Sequence, residues 1–257
     1  MIEGSGLIAQ AFMREGAQRL HDTCIYAAGV SNSCCRDSYE FLRERERFEA
    51  VVAACPADTR FVYFSSCSID DPSVRDTAYV QHKLRMEARV RRCPRHLILR
   101  LPQVAGRTPN PHTLLNFLHQ RMTRGQRFQV WAGARRNIID VADVAHITLY
   151  LIRREDAQGE TVNVANPHST GMLDIVRAME RVLDIRAEFD LIDRTSGAHI
   201  DVSRIEAALR RCGIRFGDAY LARVIDKYYG DERSRTVAIP AGMPLRPSLF
   251  LSPAWQL

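Results

Sequence analysis

Paired cysteines, a long apolar run and aromatic-studded basic stretches are all missing from this chain. Its seven cysteines, at positions 24, 34, 35, 55, 67, 93 and 212, include no Cys-x-x-Cys spacing, so neither a disulfide framework nor a zinc site is indicated. No apolar stretch approaches the roughly 18 residues of a membrane helix, and the start lacks a basic segment followed by an apolar one. A cytoplasmic protein with no membrane partner is expected. Lys and Arg exceed Asp and Glu by enough to give a net charge of +6. The arginines are nevertheless scattered and not interleaved with aromatics, which reads as a basic solvated surface and not as a nucleic-acid face. Internal repeats and low-complexity segments are absent as well.

What remains is a globular composition, 46% hydrophobic and 26% charged over 257 residues, enough for one sizeable core or a core plus a lobe. Strand and helix patterns alternate. An apolar strand is expected at 23–27. Asp37-Ser38-Tyr39-Glu40 then has the form of a capped helix start, with Phe41, Phe48, Val51 and Val52 as its buried face. In that helix Arg43, Arg45 and Arg47 interleave with Glu44, Glu46 and Glu49, the pattern of a solvated face. Further strands are expected at 60–65 and 96–101, and helices at 77–92, 112–124, 143–153, 171–183, 203–211 and 217–229. Such alternation implies parallel strands with helices on both sheet faces.

Two features carry chemistry. Tyr79 and Lys83 stand four residues apart on the 77–92 helix, just after an apolar run ending Ser65-Ser66-Cys67. They share one helix face, where an ammonium favours the phenolate and draws the tyrosine's pKa towards working pH, making it a proton donor and acceptor. The bland alternative is a chance spacing on a half-buried helix. The second feature is Gly4-Ser5-Gly6-Leu7-Ile8-Ala9, which follows a clipped strand at Met1–Glu3 and opens a helix. Glycines there let backbone approach a pyrophosphate, and the helix N-terminus offers free N–H groups to the anion; a tight turn without a ligand is the alternative.

These segments, with others in the same order, resemble the extended short-chain dehydrogenase/reductase family, the NAD(P)-dependent epimerases, dehydratases and reductases of nucleotide sugars. Ala27-Ala28-Gly29 is similar to the end of the strand lying along the cofactor, and Phe61 to Cys67 to the strand bearing the active-site hydroxyl. Leu99-Arg100-Leu101-Pro102-Gln103-Val104-Ala105-Gly106 resembles the family's Leu-Arg-x-x-Asn-Val-Tyr-Gly stretch. Arg136-Asn137-Ile138-Ile139-Asp140-Val141 resembles its Arg-Asp-Phe-Ile-His-Val segment, and Gly159 to Ala165 a late strand.

The resemblance implies an α/β fold, a Rossmann-like doubly wound parallel sheet with a smaller interleaved substrate lobe. It divides the chain into a dinucleotide-binding core at 1–106, a substrate lobe at 107–230 and an irregular, Pro-containing tail at 231–257. It implies NAD or NADP as cofactor, a nucleotide sugar as substrate, no metal and a homodimer. By the same resemblance the catalytic residues are Tyr79, Lys83, Ser66 and, as second choice for the hydroxyl's role, Cys67. The cofactor would lie along Gly4, Ser5, Gly6, Leu7, Ile8, Ala27, Ala28, Gly29, Ser65, Pro102 and Val104, with Tyr79 and Lys83. Arg136, Gln103 and Arg107 would take the substrate, Arg136 at its diphosphate.

Departures from the family pattern are equally informative. Only 20 residues separate Gly6 from Ala27, room for one helix and one strand where the family has two further strands with their helices. Those elements carry the adenosine half of the cofactor site, including an acidic residue on the ribose, and residues 24–30 contain no Asp or Glu. NAD and NADP are therefore not distinguished. The Met1–Glu3 strand should lie at or near an open sheet edge, with a partner subunit or the tail covering the 7–13 helix. Asp140 stands where the family has histidine, so that role is not carried over. Only 11 residues lie between Cys67 and Tyr79, which trims the pocket floor. The expected activity is epimerisation or ketone reduction of a nucleotide sugar by hydride transfer, with dehydration ranked third; the alternative is a non-catalytic dinucleotide or sugar-nucleotide binding protein.

Overall fold

Five parallel strands form the central sheet of the computed structural model, which describes residues 1–154 and 157–230. In chain order the elements are β1 (Ile2–Glu3), α1 (Leu7–Arg14), β2 (Thr23–Tyr26), α2 (Ser38–Ala54), β3 (Arg60–Ser66), α3 (Ala78–Val90) and β4 (His96–Leu101). They continue with β5 (Gln103–Ala105), α4 (Leu114–Thr123), β6 (Phe128–Arg136), β7 (Ile138–Asp140), α5 (Val141–Ile152) and β8 (Glu160–Asn163). The last are β9 (Thr170–Gly171), α6 (Met172–Leu183), β10 (Phe189–Ser196), α7 (Glu206–Cys212) and α8 (Tyr220–Tyr229). The central sheet has the order β1-β2-β3-β4-β8, and each pairing is parallel. Every residue of β3 is buried, as expected of a strand covered by helices on both faces.

Local chemistry sets the helix starts. The Asp37 carboxylate accepts from the Tyr39 N–H at the head of α2, and the Thr77 hydroxyl accepts from the Val80 N–H at the head of α3, each satisfying a donor with no intrahelical partner. Thr77 places Tyr79 and Lys83 on the first two turns of α3, beside the end of β3. The main core gathers Phe12, Ile25, Val62, Leu97, Leu99 and Ile147. A second core, with Leu118, Val130, Met172, Ile175, Met179 and Ile225, lies under α4, α6 and α8 and the small sheet in which β6 is flanked by β10 and β9.

β1 is the edge strand, as the short Gly6–Ala27 interval requires. On its core side α1 packs on α5 and sends Ala9, Ala11 and Phe12 inward. The sequence patterns also understate the lobe's strands. β10 runs eight residues parallel to β6, but its polar and apolar residues do not alternate in burial and Leu191 is exposed, so no period of two marks it. The 231–257 tail lies outside the described residues. Among those described, no helix is long and apolar enough to cross a membrane.

Candidate active site

A cavity of about 1060 Å³ opens where the central strands end, between the sheet and the smaller lobe, the usual place for a ligand in a parallel α/β sheet. Its wall brings together Gly6, Leu7 and Ile8 at the start of α1, Ala27 and Gly29 after β2, and Ser65, Ser66 and Cys67 at the end of β3. Tyr79 and Lys83 on α3, Pro102, Gln103 and Val104 around β5, and Arg136 at the end of β6 complete the expected set. Gly4, Ser5, Ala28 and Arg107 are not on this wall. Gly4 instead serves the sheet: at φ +125° it lies so close to β2 that a Cβ would meet the Ala27 carbonyl oxygen at 2.5 Å, a conformation and an approach suited to glycine. Gly6, by contrast, has open space around its missing Cβ and no side-chain cap over the α1 N-terminus. Its uncapped N–H groups therefore face the cavity.

At the β3–α3 end of the cavity, Ser66 is hydrogen-bonded to the Tyr79 phenol, and the Lys83 Nζ lies 5.8 Å from the Tyr79 ring centre. Burial raises the pKa of this phenol. The Lys83 charge and the Ser66 hydrogen bond act in the opposite direction, while Glu44 and Cys67 add to the rise, and the balance stays above the ordinary tyrosine value. The expectation of a phenol lowered towards working pH is thus corrected: desolvation outweighs the ammonium. The Cys67 thiol donates to the Arg100 carbonyl at 3.3 Å and is pushed up to about 12 by burial. Ser65 touches the cavity but spends its hydroxyl on Glu87, at 2.7 Å. Ser66 is left as the hydroxyl beside Tyr79.

Beneath Lys83 lies a carboxylate that the sequence pattern misplaced. Glu44, read as part of a solvated face, is only 2% exposed. Its Oε1 accepts from the Tyr63 hydroxyl at 2.6 Å and from Lys83 Nζ at 3.2 Å, and its Oε2 accepts from the Val30 N–H at 2.7 Å and pairs with His82 Nε2 at 2.8 Å. Burial alone would raise its pKa, but Lys83 and the bonds from His82, Tyr63 and Val30 hold it down at about 2. The signal was available: Glu44 falls three residues after Phe41 and four before Phe48, on the stripe those two define.

A second ion network lies behind the site. Arg100 binds Glu87 through Nε and Nη2 at 2.9 and 3.0 Å and both oxygens of Asp70 through Nη1 at 3.0 and 3.1 Å. Asp70, four residues after Ser66 in the sequence, is thereby occupied. At the far end of the cavity Arg136 donates from Nη1 to the Arg135 carbonyl and to the Ser196 hydroxyl, and burial lowers its pKa against the pull of Asp71. Arg135 and Trp131, neither singled out from the sequence, line the same end. The Trp131 Nε1–H is buried without a hydrogen-bond partner. Asp140 has a structural role: it caps α5 by accepting from the Ala142 N–H and anchors α8 through Tyr228 and Lys227.

Comparison with known proteins places this geometry in context. The structure of RMD from Pseudomonas aeruginosa, complexed with NADPH, superposes with a TM-score of 0.69 at 16% identity, covering 91% of this chain and 98% of that one. MoeE5 in complex with UDP-glucose and NAD gives 0.70 at 16% identity, covering 91% and 99%. UDP-glucuronic acid 4-epimerase from Bacillus cereus, with UDP-glucuronic acid and NAD, gives 0.65 at 14% identity, covering 86% and 78%. At these identities the likeness is one of fold. A search of curated protein sequences finds no match. Residues 22–165 match the sequence model of the NAD dependent epimerase/dehydratase family, more than half of the chain, and the protein belongs to that family.

Proposed function

We propose that the protein is an NAD(P)-dependent enzyme that reduces a keto group of a nucleotide sugar, with Tyr79 as the proton donor. The observation that carries this reading is the set Ser66, Tyr79 and Lys83 on one wall of a cavity whose far end carries Arg136. Ser66 orients the carbonyl oxygen, Tyr79 supplies its proton, and Lys83 holds the nicotinamide ribose. Bound NADPH or NADH supplies the hydride for the carbonyl carbon. The pocket suits the nicotinamide and pyrophosphate part of that cofactor, given the open Gly6 turn and the uncapped α1 N-terminus. It suits the adenosine part poorly, since β1 is the last strand on its side.

Reduction is the reading taken here because it begins from the protonated phenol, the form that burial of Tyr79 favours. Dehydration would need a further carboxylic acid or base beside the hydroxyl. Asp70 is held by Arg100, and Asp71 accepts from the Ser73 N–H and hydroxyl. Arg136 presents a guanidinium to the substrate's diphosphate, a geometry suited to bidentate contacts.

The test is to follow reduced nicotinamide absorbance with NADPH or NADH and a panel of nucleoside-diphosphate ketosugars. Consumption of the cofactor with at least one of them is expected. Binding of dinucleotide or nucleotide sugar without turnover across the panel would instead establish the non-catalytic alternative, which the missing adenosine wall favours.

A further inference from the structure

Lys83 is one of the least exposed charges in the protein, with a side chain only 3% accessible. A buried ammonium is stable only with a compensating charge; without one, burial favours the neutral amine. The groups facing it come from three elements and one loop. α2 supplies the Glu44 carboxylate at 3.2 Å, and β3 supplies the Tyr63 hydroxyl at 3.1 Å. α3 itself supplies Tyr79 and, through its bond to Glu44, His82. The loop after β2 contributes Gly29 and, through its bond to Glu44, the Val30 N–H. A Cβ at Gly29 would come within 2.8 Å of Lys83 Nζ and 2.9 Å of Glu44 Oε1, so this loop lies directly on the pair.

Among the described residues Glu44 is the carboxylate paired with Lys83, and it is fixed in place. Both of its oxygens are fully engaged: Oε1 by Tyr63 and Lys83, Oε2 by Val30 and His82. Tyr63 and Glu44 use two of the three ammonium protons, and the third is free for the cavity that Lys83 lines. We propose that Glu44 is a positioning residue, the counter-ion that keeps Lys83 charged and aimed into the cavity, and so makes dinucleotide binding independent of pH over the neutral and mildly alkaline range. This rests on the proposed role of Lys83 at the nicotinamide ribose.

The experiment is a fluorescence titration with NADPH and with NADH from about pH 6 to about pH 9. Wild type should bind with near-constant affinity. Glu44→Gln keeps the shape and loses the charge; its affinity should be close to wild type at the acid end and fall by roughly tenfold or more at the alkaline end. Adding Lys83→Arg to that variant should flatten the profile, because a guanidinium does not lose its proton. A purely structural ion pair would weaken binding equally at every pH and would show no rescue by arginine. Parallel profiles for wild type and Glu44→Gln overturn the proposal. If Glu44→Gln does not fold, as judged by near-ultraviolet circular dichroism, Glu44→Asp draws the charge back by one methylene and should show the same slope in weaker form; a flat profile there overturns it equally. A wild-type protein that binds neither dinucleotide removes the proposed function and this inference with it, whereas wild-type binding with parallel profiles removes only the inference.

Discussion

In the wall between β3 and α3, the Tyr79 phenol loses more from burial than it gains from Lys83, so it remains protonated through the neutral range. On the proposed reaction, Tyr79→Phe should lower turnover by roughly 10²–10⁴-fold, the usual worth of a positioned acid, with dinucleotide affinity nearly unchanged; steady-state rates beside calorimetry check this, and equal turnover removes the assignment. Arg136 acts at the other end of the cavity, where its guanidinium is half-buried beside Ser196. Arg136→Ala should weaken nucleotide-sugar binding and leave dinucleotide binding alone, as read by calorimetry with each ligand separately. Glu44 adds a stability effect with a definite sign. Its carboxyl sits at about 2 when folded against 4.5 ordinarily, so the native state holds fewer protons than the unfolded chain between those values. The contribution is complete above about pH 4.5 and is lost as pH falls towards 2. Denaturant midpoints measured across that window should fall more steeply for wild type than for Glu44→Gln.

At the scale of elements, what could be read in advance depended on whether a residue's partner was near in sequence. β3 was legible because an apolar run between turn residues leaves few alternatives, and α2 because Asp37 marks its start. Glu44 was not, since arginines and glutamates alternate through the exposed part of the same helix and only its spacing from Phe41 and Phe48 betrays the buried stripe. Gly4 and Gly6 looked alike in the motif, yet one serves the β1–β2 approach and the other the cavity. Arg100 pairs with Asp70, 30 residues away, and nothing local announces that. Asp140 is a similar case, its partners Lys227 and Tyr228 lying 87 and 88 residues along the chain. Because it caps α5 and ties α8 to it, Asp140→Ala leaves a helix donor and two α8 groups without their acceptor. The expected cost is about 1–3 kcal/mol, read as a lower denaturant midpoint with an unchanged slope; a loss below about 0.5 kcal/mol would show that water replaces the carboxylate.

For the whole molecule, the sheet order decides how much of a dinucleotide the chain can hold. The doubly wound arrangement places two strands outboard of the first, and their ends grip the adenosine. Here the chain passes from α1 straight to β2, which pairs with β1 and leaves it at the edge. The nicotinamide half would still meet Lys83, Tyr79, Pro102 and Val104, and the pyrophosphate the α1 N-terminus, whereas the adenosine would lie beyond the last strand, with no carboxylate among residues 24–30 to bind its ribose. Two outcomes follow from that asymmetry. Reduced nicotinamide mononucleotide should keep most of the affinity of NADH, while ADP-ribose should compete weakly. NADH and NADPH should also bind within about threefold of each other, less than about 1 kcal/mol, because among the described residues no strand lies beyond β1 to carry a side chain to the adenosine ribose. Competition titrations with the two half-molecules measure the first, and direct titrations the second. ADP-ribose competing as strongly as NADH, or a preference above about tenfold for either dinucleotide, would mean that this chain grips the adenosine through residues outside the sheet edge.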